Sequence, residues 1–537
     1  MILLGFFFSS ATLLLAQTET NADLPGPGQM VTDLTNAPAT NSPVAVPEAA
    51  PETTPPPPPS APSTTGATSI TTTVTSTINL PRSILGALIT LGALGGFLLY
   101  QCGLTRAKNC GHTSTLLLVG VLFGFTGYWI GGFAVQTGGV GDTHAALSQP
   151  VMPAEKSVLD HELGPMAFGH HWGVMGSSGF FLTTDDSSRN GIATLFLIQA
   201  AMLTIAVAAA LGAALERGKI LAMAFCAYLI GVLVYPLLAN WAWGGGWLAE
   251  LGREFGLGHG FVDMGGAGVV HETAGVLALV IAIILGPRHG RFGRNKPVHS
   301  NIPGHNIPFI VLGSVLLLIS WMTSNACASA SLMPGEPSSA GLAAVNTLLA
   351  ATGGLVISFI QAAWQKQHAQ PARLCRGLLG GAVASSACVG LIDPWAAFVI
   401  GVVAGLLVQA AMLYLESRRI DDPVGAAAVH GAGGAWGVLA VGLFANGTAG
   451  IGLNGVTAPV RGLFFGGAWH QLAAQAIGCV TGFVVVYLLG YACVGLVQKI
   501  LGNRADLADE TGGLDWPELG ALGYQGDEEP EDAGPKG

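Results

Sequence analysis

The stretch "DMGGAGVVHETAG" at residues 263–275 returns as "DPVGAAAVHGAGG" at residues 422–434, so one skeleton, D-x-x-G-A-x-x-V-H-x-x-x-G, is written twice in the chain. Both copies lie in strongly apolar surroundings. An ionisable side chain inside a membrane helix is costly and usually faces the bundle interior or a substrate path. The repeated aspartate and histidine are therefore where fold and function have to be read together.

Composition sets the medium. With 51% hydrophobic and 10% charged residues and a mean hydropathy of +0.56, the chain reads as an integral membrane protein. Its 78 glycines among 537 residues suit a tight helical bundle, because small residues let membrane helices approach closely. The eight cysteines occur singly, without CxxC spacing, and read as small buried packing residues. The net charge of −10 comes partly from an acidic C-terminal tail, which speaks against nucleic acid as a partner.

Residues 1–16 form a short apolar stretch that suits a secretory signal peptide, with an uncleaved extension as the alternative. Residues 17–80, rich in Pro and Thr, read as a disordered extracytoplasmic tether. Residues 81–500 read as the membrane domain and 501–537 as an acidic cytoplasmic tail. Eleven spans are expected, centred in 83–101, 113–135, 192–215, 220–240, 263–286, 307–330, 340–363, 375–392, 395–416, 424–445 and 470–497, each near the ~20 residues a bilayer requires.

Lys and Arg collect in alternate loops, at Arg106 and Lys108, Arg217 and Lys219, Arg288 to Lys296, Lys366 to Arg376, Arg418 and Arg419, and Lys499 and Arg504. Short cytoplasmic loops carry that excess. The expected location is the cell inner (plasma) membrane, multi-pass, with the N-terminus extracytoplasmic and the C-terminus cytoplasmic. The two Asp/His segments are then spans five and ten and cross in opposite directions. That is the pattern of an all-α membrane protein with a five-plus-five inverted repeat.

Such a repeat brings His271 and His430 together near the midplane, where these folds place their sites. A single membrane histidine is often only a structural hydrogen-bonder; two at equivalent positions point to function. A metal centre is not expected, since two imidazoles without a third inward ligand make an incomplete site. Two neutral imidazoles can instead share one proton and offer a relay. A bare cation entering hydrocarbon faces an idealised penalty on the order of 20 kcal/mol. Releasing a proton held about two units above ambient pH costs only ~3 kcal/mol.

Asp263 precedes its histidine at a helix start, where a carboxylate caps backbone N–H groups and meets the positive dipole end. Capping alone explains it, or it also shapes an outer vestibule for a cation. Asp422 repeats the capping role, with Pro423 fitting a first helical turn. Upstream, "NWAWGGGW" supplies Trp241, Trp243 and Trp247, which read as an interfacial aromatic belt. One of them could bind a cation through its ring face.

"AWGGGW", "DMGGAGVVHETAGVLALVIAIILGPRHGRF", "GHNIPF" and "DDPVGAAAVHGAGGAWGVLAVGLFANG" together resemble the ammonium transporter family, Amt/Mep/Rh, in its Amt branch. "LYQCGLTRAKN", "ALERGKI" and "GGLDWPELGALGY" extend the likeness over about residues 84–525. The resemblance implies an eleven-helix protomer with an inverted repeat, a homotrimer with one pore per subunit, and ammonium or ammonia as the transported species. It implies that His271 and His430 are twin pore histidines, Asp263 an essential acid and Trp243 an outer-site tryptophan. It also implies contact with membrane lipids and a PII-class signalling protein at the tail.

The chain departs from that pattern at the gate. The family stacks two phenylalanines above the histidines, and the corresponding places here are Met202 and Ser324. The small hydroxyl residue of the outer cation site is Ala328, although Trp321 and Asn325 keep the local frame. Each loss is worth about 1 kcal/mol to a bound cation. Glu272 points about 100° around the helix from His271 and is expected to pack on a neighbouring element, where a buried carboxylate needs a partner. The expectation is an ammonium transporter with no cofactor and no enzymatic chemistry. The rivals are a slow or non-transporting ammonium sensor acting through its tail, and an Rh-like channel for neutral ammonia.

Overall fold

The computed structural model describes residues 80–138, 159, 161–167, 170–183, 189–292, 302–332 and 339–524. The expected signal peptide, all but the last residue of the tether, and the last residues of the acidic tail lie outside them. Among the described residues, ten helices are long and apolar enough to cross a membrane: α1 (Ser83–Leu104), α2 (Ala107–Thr137), α3 (Arg189–Ala214), α4 (Ile220–Phe255), α5 (Ala267–Leu285), α6 (Ile307–Ala330), α7 (Ser339–Trp364), α9 (Pro394–Ser417), α10 (Ala427–Phe444) and α11 (Trp469–Leu501). Between α7 and α9 lies the shorter α8 (Pro371–Ser385), where a span over 375–392 is expected. Its helix stops at Ser385 and residues 386–392 turn. Asn346 of α7 ties that turn down by donating to Val389 O at 2.7 Å and Ile392 O at 2.9 Å, supplying partners that irregular backbone at such a place requires.

Side chains sort by face. Leu85, Leu88, Leu118, Leu122, Val480 and Leu488 are exposed, whereas Gln136, Gln199, Asn346 and Thr347 are buried. The buried amides satisfy one another, as Gln136 Nε2 donates to Gln199 Oε1 at 2.9 Å and Tyr128 donates to Gln136 Oε1 at 2.7 Å. An apolar exterior around an internally hydrogen-bonded interior is what a multi-pass membrane protein needs. α1 packs on α6, α2 on α4, α7 on both α8 and α9, and α5 and α10 pack on each other and on α11.

One end of the bundle gathers the arginine-bearing loops into a connected set of ion pairs. Glu216, after α3, meets Arg106 at 2.9 Å and Arg288 at 3.0 Å. Arg288 also meets Asp421, before α10, at 2.8 Å. Burial opposes ionisation of both carboxyls, but the Arg288 guanidinium, with Arg217 beside Asp421 and Arg106 beside Glu216, outweighs it and holds them below the usual carboxylate range. The tail docks on this same end through the short helices α12 (Leu507–Gly512) and α13 (Asp515–Leu519). Arg504 pairs with Glu510 at 2.8 Å, Asp515 accepts from the His112 N–H at 2.7 Å, and Glu518 accepts from the Ile220 N–H at 3.1 Å.

At the opposite end, the chain between α2 and α3 forms two short antiparallel ladders, β1 (Glu162–Leu163) with β4 (Met175–Gly176), and β2 (Met166–Ala167) with β3 (His170–His171). This segment corrects the aromatic-belt reading. Trp241 and Trp243 are buried; the Trp241 indole donates to Val174 O at 2.8 Å, and Trp172 packs on Trp247 with ring centroids 5.7 Å apart. The Trp241 indole finds its polar partner in a covering loop instead of at a lipid surface.

Candidate functional site

Both Asp/His segments fold alike. Helix α5 begins at Ala267 and α10 at Ala427, so each histidine falls in the first turns of its helix, closer to the start than its sequence position suggests. The aspartate stands before the helix and closes it. Asp263 Oδ1 accepts from the Gly266 and Ala267 N–H groups at 3.1 and 2.8 Å, and Oδ2 from Gly268 and Val269 at 2.9 and 2.8 Å. Asp422 accepts from Gly425, Ala426 and Ala427 at 3.1, 3.0 and 2.8 Å. These N–H groups have no intrahelical acceptor, so a buried helix start requires such partners. Pro423 lies in the turn before the helix and not in its first turn.

The equivalent residues Gly266 and Gly425 have φ of 90° and 80°, a left-handed conformation that glycine adopts without strain. The chain then makes wide π-helical turns at Ala267–Glu272 and Ala427–Ala432. The His271 N–H reaches back to Gly266 O at 2.9 Å. Such turns recur at functional positions because they re-aim a side chain.

The two helices cross where each motif ends in glycine. A Cβ on Gly275 would strike the backbone of Gly431, and one on Gly434 would strike Ala267 O and the backbone of Glu272. The contact is reciprocal, since Gly275 and Gly434 hold the same place in the motif, as do Glu272 and Gly431. The crossing sets His271 Nδ1 3.0 Å from His430 Nδ1, with ring centroids 5.1 Å apart at 29°. Both rings are buried, 2% and 4% exposed. At that distance one Nδ1 donates and the other accepts, so the pair holds a proton between its facing nitrogens.

Another expected residue reaches the pair. Trp321 of α6 stands edge-on to both imidazoles, at 5.0 Å from His271 and 5.7 Å from His430. One turn on, Ser324 donates to Met202 Sδ of α3 at 3.3 Å, and both are buried. Trp243 Nε1 donates to Asp263 O at 2.6 Å, which joins the end of the Trp segment to the helix start. Asn325 donates to Thr347 Oγ1 at 3.0 Å and Ser386 Oγ at 3.3 Å. Ala328 follows Ser324 by one turn and is half-buried.

Two relationships escape sequence reasoning. Phe97 of α1 lies 6.1 Å from the His430 ring, and nothing in an apolar helix singles out one phenylalanine. Glu272 is buried and accepts from the Cys479 thiol of α11 at 3.4 Å, more than two hundred residues away. The expectation that Glu272 packs on a neighbouring element gains its partner there.

A family model described as Ammonium Transporter Family matches residues 83–524. Ammonium transporter Amt2 of Archaeoglobus fulgidus is 33% identical over 385 residues, covering 69% of this chain and 80% of that protein. Ammonium transporter 1 member 3 of Solanum lycopersicum is 28% identical over 452 residues, covering 82% of this chain and 91% of that protein. A solved structure titled Sensor Amt Protein superposes with a TM-score of 0.67 at 26% identity, covering 83% of this chain and 98% of its own. Mep2 of Candida albicans superposes with a TM-score of 0.65 at 21% identity, covering 84% of this chain and 92% of its own, a likeness of fold. With most of its length matched to the family and its helices arranged as in those structures, the chain belongs to the ammonium transporter family.

Proposed function

We propose that this protein conducts ammonium or ammonia across the inner (plasma) membrane through a pore in which His271 and His430 form a proton-sharing passage. The observation that carries the reading is the 3.0 Å approach of two buried imidazole nitrogens. In this reading Met202 and Ser324 form the gate, Trp321 walls the histidines, and Trp243 and Asp263 stand on the approach. Asp263 acts through the helix start it closes, because each of its oxygens already accepts two backbone N–H groups. Ala328 marks an outer cation site without its hydroxyl. The site needs no cofactor or metal and performs no enzymatic chemistry.

The membrane domain, residues 81–500, is read as eleven helices with α8 as the eighth, in a five-plus-five inverted repeat. The reciprocal crossing at Gly275 and Gly434 supports that symmetry. The N-terminus is extracytoplasmic and the tail, 501–537, cytoplasmic, consistent with the arginine-rich loops and tail sharing one end. The protomer assembles as a homotrimer. The tail meets a PII-class protein.

The test is the current evoked by an ammonium pulse on proteoliposomes holding the purified protein, beside His271→Ala and empty vesicles. A current reduced at least about tenfold in the variant, equivalent to about 1.4 kcal/mol of barrier, supports the histidine passage. A current untouched by the substitution rejects it. Docking of the tail through Asp515 and Glu518 favours a second reading, a sensor. Ammonium binding by calorimetry with no flux would select it.

A further inference from the structure

The equivalent glycines that lead into α5 and α10 face different groups. A Cβ on Gly266 would lie 3.2 Å from Cη2 of Trp243, whereas a Cβ on Gly425 would lie 2.9 Å from both Cδ and Nε of Arg376. The aspartates beside these glycines match, since Asp263 and Asp422 both accept the N–H groups of their helix starts. What distinguishes the two ends is therefore an indole ring at one and a guanidinium at the other.

Nothing local favours Arg376 in that place. Helix α8 carries no acidic residue in its first turn, and a helix start disfavours cations. Arg373, one turn earlier, is tied into the preceding loop, donating to Gln365 Oε1 and Gln367 Oε1 at 3.0 Å each. Arg376 is instead half-buried, and its buried Nε has no hydrogen-bond partner among the described residues. Gly425 precedes His430 by five residues, about 7 Å of helical rise, on the side of the arginine-bearing loops. Tyr100 of α1 donates to Val424 O in the same turn at 3.2 Å, and Phe97 of α1 lies 6.1 Å from the His430 ring. Phe97, Tyr100 and Arg376 thus mark the way from His430 toward that end.

Resting on the reading that Trp243 stands on one approach to the histidines, we propose that Arg376 is a specificity-determining residue on the opposite approach. An aromatic face attracts a cation, whereas a guanidinium repels one, and at about 7 Å the repulsion lies within the ~8–10 Å reach of a charge at moderate salt. Ammonium therefore loads more readily from the Trp243 end. Neutral ammonia carries no charge and passes Arg376 unhindered.

The experiment measures labelled methylammonium uptake into right-side-out and inside-out membrane vesicles holding the full-length protein; by the orientation proposed above, the inside-out vesicles present the arginine-bearing end. R376Q should lower the half-saturating concentration at that end by at least about threefold and leave the Trp243 end unchanged. R376K, which keeps the charge, should match the parent at both ends. The parent alone gives a second measurement: sodium chloride at about 1 M, where screening acts within ~3 Å, should lower its half-saturating concentration at the arginine-bearing end. Saturable uptake that neither R376Q nor salt alters at that end overturns the role of Arg376, and R376K behaving as R376Q overturns its basis in charge. Parent vesicles without saturable uptake at either end overturn the transport reading and this inference with it.

Discussion

Ser324 of α6 donates its hydroxyl to the thioether sulfur of Met202 of α3 across 3.3 Å. These are the two places where the family resemblance expects phenyl rings. A thioether is a weak acceptor, and an unbranched methionine adapts its shape easily, so a closure at this contact would be softer than stacked rings. We predict that Ser324→Ala costs about 1 kcal/mol of stability or less and raises methylammonium flux relative to ammonium. Ser324→Phe should cost about 1–3 kcal/mol by overpacking against Met202 and lower both fluxes. Paired uptake measurements in proteoliposomes check this; an unchanged flux ratio in the alanine variant counts against a gate at this contact.

Asp263 accepts four backbone N–H groups and Asp422 three. Removing a helix cap costs about 0.5–2 kcal/mol in exposed helices, and buried N–H groups left without acceptors raise that cost. Asp263→Ala should therefore destabilise the protein by about 2 kcal/mol or more, and by more than Asp422→Ala. Thermal unfolding in detergent ranks the two, and equal midpoints would contradict the capping account.

Gly275→Ala would drive a methyl into the backbone of Gly431, where no side chain can swing aside. The substitution should separate α5 from α10 and sharply reduce recovery of monodisperse protein on size exclusion. Gly495→Ala on α11, with nothing within 4 Å of the added methyl, is the matched control and should behave as the parent does. Normal recovery of the Gly275 variant would show that the crossing tolerates a wider spacing.

The ion pairs at the tail-bearing end predict an acid limit. Asp421 and Glu216 have folded pKa values below their unfolded ones. Their stabilisation is full above the unfolded values, near about 4, and is lost as pH falls toward the folded ones. Thermal stability should decline below about pH 4, less steeply in Asp421→Asn. At neutral pH that variant leaves Arg288 and Arg217 short of a partner and should lose about 3 kcal/mol. A variant with the parent's midpoint at neutral pH would refute the pairing energy.

The Asp/His motifs were legible because their physics is local. An aspartate three residues before a left-handed glycine caps a helix start, and a histidine in that apolar setting needs a polar partner. Where each helix begins was not legible, since the residues from Asp263 to Gly266 also read as a helix start. They leave the helical path only because Asp263 and the facing turn at Ser386 satisfy their backbone, with Gly265 N–H donating to Ser386 O at 2.8 Å. Trp241 reads as interfacial because the loop that covers it, at Val174, is distant in sequence.

The sequence by itself determined the medium, the rhythm of apolar spans, the end that collects arginine, and the two residues that recur at equivalent places. Each of these follows from burial costs paid residue by residue along the chain. Only the tertiary structure decided that Nδ1 faces Nδ1, that Gly275 admits Gly431 and that Cys479 answers Glu272. A helix advances by about 100° per residue, so a start displaced by one position turns every side chain away from its partner. Which atoms meet is therefore set by how the helices cross.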